Sequence, residues 1–234
     1  MKNYILIFCS IIFVSFVSTE TISKKVPDML GSYGGWKNYF DTIKDIKVSG
    51  VRIKQIRLKD DRCPNGFIDH LEFEGIINED TSFIVESLLE EILHDIGACE
   101  KFSRIVTMHS EGGYLLEGIY LGRVFNYYGV STALYPGHRC SSACAIAFVG
   151  GTYRFMAPDT ELMVHTPYLK TASSIHCINL LEDESMYLAQ YYMTALGTED
   201  GYTFWEKTMS NCSQDSGWTI NADAAKIYGI TNLF

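Results

Sequence analysis

Apolar positions along the chain follow two rhythms that alternate from about residue 51 onward. Residues 51–58 and 67–77 carry strand-like apolar patterning, and the polar stretch 60–66, with Pro64 and Gly66, separates them as a turn. The period then lengthens. Ile84, Leu88, Ile92 and Ile96 recur every four residues beside Val85, Leu89 and Leu93, which predicts a helix opened by Asp80 or Thr81 and stopped at Gly97. A short buried strand over 104–109 runs into Glu111-Gly112-Gly113, and a helix over 114–128 ends at Gly129. A strand over 131–135, a turn at Pro136-Gly137 and a small-residue helix over 142–148 come next. Short strands at 153–156 and 162–165 precede a loop, a long helix around 178–196, another near 204–209 and a last one over 221–228. Strands alternating with helices imply an α/β fold with a mainly parallel sheet covered on its faces by helices.

The N-terminal end breaks this pattern. Residues 4–18 are an almost unbroken apolar run with Lys2 before it and Thr19, Glu20, Lys24 and Lys25 after it. The run is shorter than the roughly 20 residues of a spanning helix and has the form of a secretory signal peptide cleaved near Ser18 or Thr19. An uncleaved N-terminal membrane anchor is the alternative. Residues 1–19 are thus read as a signal peptide, 20–50 as a polar, glycine-containing arm, and 51–234 as the folded domain.

Composition narrows the function classes. The 234 residues are 47% hydrophobic and 20% charged, as in ordinary globular proteins. A net charge of −9 argues against nucleic acid as a partner, because phosphate binding calls for a basic face. Of the seven cysteines, Cys9 lies in the leader; Cys63, Cys99, Cys140, Cys144, Cys177 and Cys212 remain. An even number in an exported chain suggests disulfides whose connectivity the sequence does not choose. Cys63 with Cys99, flanking one strand–helix unit, and Cys140 with Cys144, bracketing a serine pair, are the candidate bridges.

Three features between residues 108 and 165 carry chemistry. Gly112-Gly113 sits where a strand gives way to a helix, so the backbone can turn sharply and aim an N–H at a substrate; an ordinary turn uses the same residues. Ser141 and Ser142 precede the small residues Ala143-Cys144-Ala145 at a helix start, where a serine is either a simple cap or a nucleophile beside free N–H groups. His165 closes the apolar run Leu162-Met163-Val164, at a strand end where parallel sheets place functional side chains. Together they supply the donors, nucleophile and base of acyl transfer. His70 and His94 fit solvent-facing positions. His138, Cys140 and Cys144 could ligate a metal, but their spacing matches no common zinc pattern, and no metal is assigned.

These residues also resemble a known family. Met-His-Ser-Glu-Gly-Gly-Tyr-Leu-Leu-Glu-Gly at 108–118 resembles the Asn-Ser-Pro-Gly-Gly turn and following helix of the Clp protease proteolytic subunit. Cys-Ser-Ser-Ala-Cys-Ala at 140–145 is similar to its Ala-Ala-Ser-Met-Gly-Ala block. Residues 154–165 resemble its Pro-Asn-Ser-Arg-Ile-Met-Ile-His segment, and residues 224–229 its closing Glu-Ala-x-x-Tyr-Gly helix. The Cys-x-Ser-Ala-Cys arrangement is most similar to an exported bacterial branch, and the likeness spans about residues 68–231.

The resemblance implies a Clp protease/crotonase-like fold of repeated strand–helix turns. It implies Ser142, rather than Ser141, as nucleophile, His165 as general base, and the N–H groups of Gly113 and Ala143 as oxyanion donors, with Gly112 in the substrate-side turn. The family's orienting aspartate has no clean counterpart. Its position falls within 208–215, where Asp215 is the only carboxylate and Asn211 a weaker substitute. The expected function is a serine-type peptidase or related acyl hydrolase, exported across an inner membrane into the periplasm. It would act on a peptide or acyl substrate as a homo-oligomer, with no cofactor and no ATPase partner. A catalytically inactive binding or assembly module is one alternative. An acyl-CoA enzyme of the crotonase branch, which needs no Ser–His pair, is another.

Overall fold

The computed structural model describes residues 40–48, 50–59, 66–94, 104–171, 174–213 and 216–233. The signal peptide, Cys63, Cys99 and Asp215 fall outside them, as does the side chain of His94. Strand β1 (Phe40–Val48) pairs antiparallel with β2 (Val51–Lys59), and β2 with β3 (Phe67–Ile77). Strand β1 lies within residues 20–50, the stretch read from the sequence as a polar, glycine-containing arm, and makes its last part an edge of the sheet. Its sequence is mostly polar and carries little burial signal. Its pairing with β2 is reinforced by Arg52 forking onto the Asp45 carboxylate at 2.9 and 2.7 Å.

Helix α1 (Thr81–His94) crosses from β3 to β4 (Arg104–Gly113), which lies parallel to β3. Val85, Leu88, Leu89 and Ile92 form its buried face. The first turn of α1 is satisfied partly from outside, since the Ser82 N–H donates to Glu117 Oε2 at 3.0 Å. Helix α2 (Leu115–Tyr127), which carries Glu117, leads to β5 (Ser131–Leu134). Strand β6 (Arg139–Ser141), helix α3 (Ala143–Phe148), β7 (Arg154–Met156) and β8 (Glu161–Val164) follow. A small hairpin of β9 (Tyr168–Lys170) and β10 (Ile175–Cys177) precedes α4 (Asp183–Leu196) and α5 (Thr198–Met209). Strand β11 (Trp218–Asn221) and α6 (Ala222–Ile227) close the chain.

Among the described residues nine strands make one sheet, parallel through its centre, with antiparallel pairings along β1–β2–β3 and between β8 and β11. The sheet branches at β4. Ile105–Thr107 pair with β5, whereas Ser110 pairs with Cys140 of β6. From there one branch runs β5–β7 and the other β6–β8–β11. Such a divergence leaves a crevice outside the C-terminal strand ends, the usual place for a site in an open α/β sheet. Every residue of α3 is buried, and it lies tight against α2: a side chain at Gly118 would begin 2.6 Å from the Ala143 carbonyl oxygen. No helix among the described residues is long and apolar enough to cross a membrane.

His70 corrects the expectation of a solvent-facing histidine. It is only 4% exposed, its Nε2 lies 3.0 Å from Thr107 Oγ1, and its ring stacks on Tyr135. Burial pushes its pKa down to about 4. An unfolded imidazole takes its proton near 6.5, so between about 6.5 and 4 unfolding binds a proton that the folded chain refuses. Stability from this group is therefore full above about pH 6.5 and falls by about 3 kcal/mol towards pH 4. Urea unfolding at pH 7 and pH 4.5 is expected to show this loss, and His70→Gln to reduce it. An unchanged pH dependence in the variant would assign the acid sensitivity to other groups.

Candidate active site

Ser142 is the single residue between β6 and α3. Its backbone adopts φ 55°, ψ −123°, outside the left-handed helical region that a few non-glycine residues visit. Holding a serine there costs on the order of 1–3 kcal/mol, and the surrounding structure must enforce it. Two features do so. The Ser142 N–H donates to the Met163 carbonyl of β8 at 2.7 Å. A disulfide joins Cys140, in β6, to Cys144, in α3, with both cysteines fully buried.

The plain role of a helix-capping serine does not describe Ser142, because its side chain makes no capping hydrogen bond. Asn221 shows what a cap looks like here, accepting from the Ala224 N–H at 2.9 Å. Ser141 is buried on the strand, whereas Ser142 is half-exposed at the turn.

Gly112 and Gly113 end β4 with φ of 100° and 150°. A Cβ on Gly112 would lie 2.7 Å from Ser142 Cβ and 3.0 Å from the Ala143 nitrogen, so the glycine turn runs directly beside the serine turn. The Gly112 N–H is already taken by Ser110 Oγ at 3.0 Å. Ala143 opens α3, and the first N–H groups of a helix have no acceptor within it.

Strand β8 pairs with β6 so that Ser141 faces Met163. The ladder stops there: Ser142 leaves the strand and reaches back to the Met163 carbonyl, and His165 is the first residue past the end of β8. Gly112, Gly113, Ser142, Ala143 and His165 therefore collect at neighbouring C-terminal ends of β4, β6 and β8. His165 is 7% exposed, its Nδ1 lies 2.9 Å from the Thr166 carbonyl oxygen, and its ring stacks on Tyr168 with centroids 5.3 Å apart. Among the described residues no hydrogen bond joins Ser142 Oγ to His165.

The cysteines settle as two bridges among the described residues, Cys140–Cys144 and Cys177–Cys212. The second ties β10 to the segment after α5 and had no signal in sequence spacing. With Cys140 and Cys144 bonded to each other, neither offers a thiolate to a metal beside His138. His138 instead lies against His109, ring centroids 5.2 Å apart, and burial lowers its pKa. His109 Nδ1 accepts from the Arg139 N–H at 3.2 Å. In purified protein kept free of reductant, Cys140, Cys144, Cys177 and Cys212 are expected to resist alkylation and to appear as two crosslinked peptide pairs in mass spectrometry. Free thiols at these positions would contradict the bridges.

Neither a family model nor a curated protein matches the sequence. Solved structures do match its fold. A serine-to-alanine variant of the 1510-N membrane-bound stomatin-specific protease superposes with a TM-score of 0.52 at 17% identity, covering 69% of this chain and 75% of that one. A lysine-to-alanine variant of that protease, in complex with a substrate peptide, gives 0.53 at 19% identity over 69% and 71%. ClpP1 from Listeria monocytogenes gives 0.50 at 18% identity over 70% of this chain and 88% of its own. The chain thus has a ClpP-like fold.

Proposed function

We propose that this chain is an exported serine-type peptidase or related acyl hydrolase that works with Ser142 and His165. The observation that carries the reading is the Ser142 turn: a strained, uncapped serine between strand and helix, beside the Gly112-Gly113 turn and the strand that leads into His165. Strain of this kind needs a reason, and a turn that lifts a nucleophile out of the sheet supplies one.

In the reaction, Ser142 Oγ attacks the carbonyl carbon and His165 Nε2 takes the hydroxyl proton. The N–H groups of Gly113 and Ala143 hold the oxyanion. When the tetrahedral intermediate collapses, the leaving amine or alkoxide departs with the proton from His165. Water repeats the sequence on the acyl-serine and frees the acid. No step calls for a cofactor. A peptide or acyl substrate, self-association, and export belong to the same reading; the two disulfides and the leader-like residues 4–18 support export.

A fluorophosphonate probe tests the reading. Phosphonylation mapped to Ser142 supports it, and an unlabelled, folded chain overturns it. The second outcome would favour a binding or assembly module on the same fold, a reading favoured by the absence of a Ser142–His165 hydrogen bond among the described residues. Asp215→Asn examines the third member: a large loss of turnover makes Asp215 the orienting acid, and little loss leaves a Ser–His pair.

A further inference from the structure

We propose that Thr166 is the positioning residue of His165, its main-chain carbonyl orienting the imidazole in the way a carboxylate does in a Ser-His-Asp triad. The proposal rests on the reading of His165 as the base. A carbonyl oxygen can only accept, so the 2.9 Å contact from His165 Nδ1 to the Thr166 oxygen requires the proton on Nδ1. Nε2 is then left with its lone pair, the tautomer a general base needs.

An orienting group must itself be held, and Thr166 is held from three directions. Its N–H donates to the Asn211 carbonyl at 2.9 Å. Its hydroxyl lies 2.9 Å from the Met209 carbonyl oxygen and 3.2 Å from that of Thr208. These carbonyls belong to the last turn of α5 and the residues just past it, where carbonyl oxygens keep lone pairs for partners outside the helix. The side chain of Thr166 is 2% exposed, so water does not substitute for it.

The support continues outward. Cys212, next to Asn211, is bonded to Cys177 of β10, and the Ile178 N–H donates to the Pro167 carbonyl at 2.8 Å. The segment that carries His165 and Thr166 is therefore clamped between the end of α5 and the β9–β10 hairpin. Tyr168, on that hairpin, stacks against the imidazole. The end of α5 sets Thr166, and Thr166 sets the base.

The test uses Thr166→Val, which keeps the shape and removes the hydroxyl, and Thr166→Ser, which restores it. The second-order rate of fluorophosphonate labelling and the turnover of an ester substrate are followed across pH on the whole mature protein. Thr166→Val is expected to slow both by about tenfold, the cost of one lost buried hydrogen bond. KM should stay unchanged, and the acid limb of the profile should move to lower pH because the imidazolium loses its fixed acceptor. Thr166→Ser should recover most of the rate. A valine variant that labels at the wild-type rate with the wild-type profile overturns the proposal, as does a larger loss at Asp215→Asn than at Thr166→Val. Nitrogen NMR of labelled histidine in the unmodified protein provides a test that needs no variant: a proton on Nδ1 of His165 supports the assignment, and one on Nε2 overturns it. Failure of the wild type to label counts against the peptidase reading instead, and the tautomer measurement still decides the role of Thr166.

Discussion

Ser142→Ala is expected to abolish phosphonylation and to lower hydrolysis by about 10⁶-fold, with His165→Ala nearly as damaging. The two residues act as one unit, so removing either loses most of what the pair contributes. What remains is binding and the oxyanion N–H groups of Gly113 and Ala143, which retain about 10³–10⁴ over water. Ser141→Ala is the matched control. Its side chain is buried on β6, one residue before the turn, and its loss should leave measurable activity. The fold should survive Ser142→Ala, because the hydroxyl caps nothing. Equal labelling of wild type and Ser142→Ala refutes the assignment; labelling lost only in Ser141→Ala transfers it to the neighbouring residue.

Gly112→Ala is expected to damage stability and activity together. The new methyl would lie 2.6 Å from the Ser141 carbonyl oxygen, 2.7 Å from Ser142 Cβ and 3.0 Å from the Ala143 nitrogen. All are main-chain atoms or the first side-chain carbon, so no flexible group can swing aside. The φ of 100° adds strain for any residue with a Cβ. Strain and overpacking together should cost on the order of 3 kcal/mol. The serine turn and the glycine turn must move apart to relieve the contact, and a displacement of about 1 Å at a reacting centre costs roughly 100-fold in rate. Gly137→Ala separates the two causes. Gly137 also has a positive φ, of 82°, but a methyl there meets nothing within 4 Å. It should lose about 1–2 kcal/mol of stability, from the backbone alone, and keep its labelling rate. Urea unfolding with probe kinetics on both variants gives the comparison. A Gly112→Ala protein that labels normally would show that the two turns are not coupled.

The long elements were legible in the sequence because each carries its own burial signal. The four-residue recurrence through Ile84, Leu88 and Ile92 becomes α1, and the apolar patterning of 51–58 and 67–77 becomes β2 and β3. Several of the short ones were not. Strands β6, β9, β10 and β11 have three or four residues each, too few to show a period. They exist because a neighbouring strand offers them a hydrogen-bonding edge. Polar β1 was missed for the same reason, and His70 was read as exposed because a lone histidine says nothing of the sheet face that will cover it.

The sequence by itself determined which residue types could do chemistry and which strand–helix turns would carry them. Gly-Gly, Ser-Ser between cysteines, and His after an apolar run are local patterns, and local backbone preference is enough to put each at the end of a strand. Only the tertiary structure decided that the three turns lie side by side, since that follows from the branching of the sheet at β4 and the register of β6 on β8. It also decided the backbone strain at Ser142, which long-range contacts impose against the intrinsic preference of serine. The clamp on Thr166 comes from carbonyls more than forty positions along the chain, at the end of α5. Main-chain carbonyls look the same in every sequence, so nothing before folding marks the ones that will hold a histidine in place.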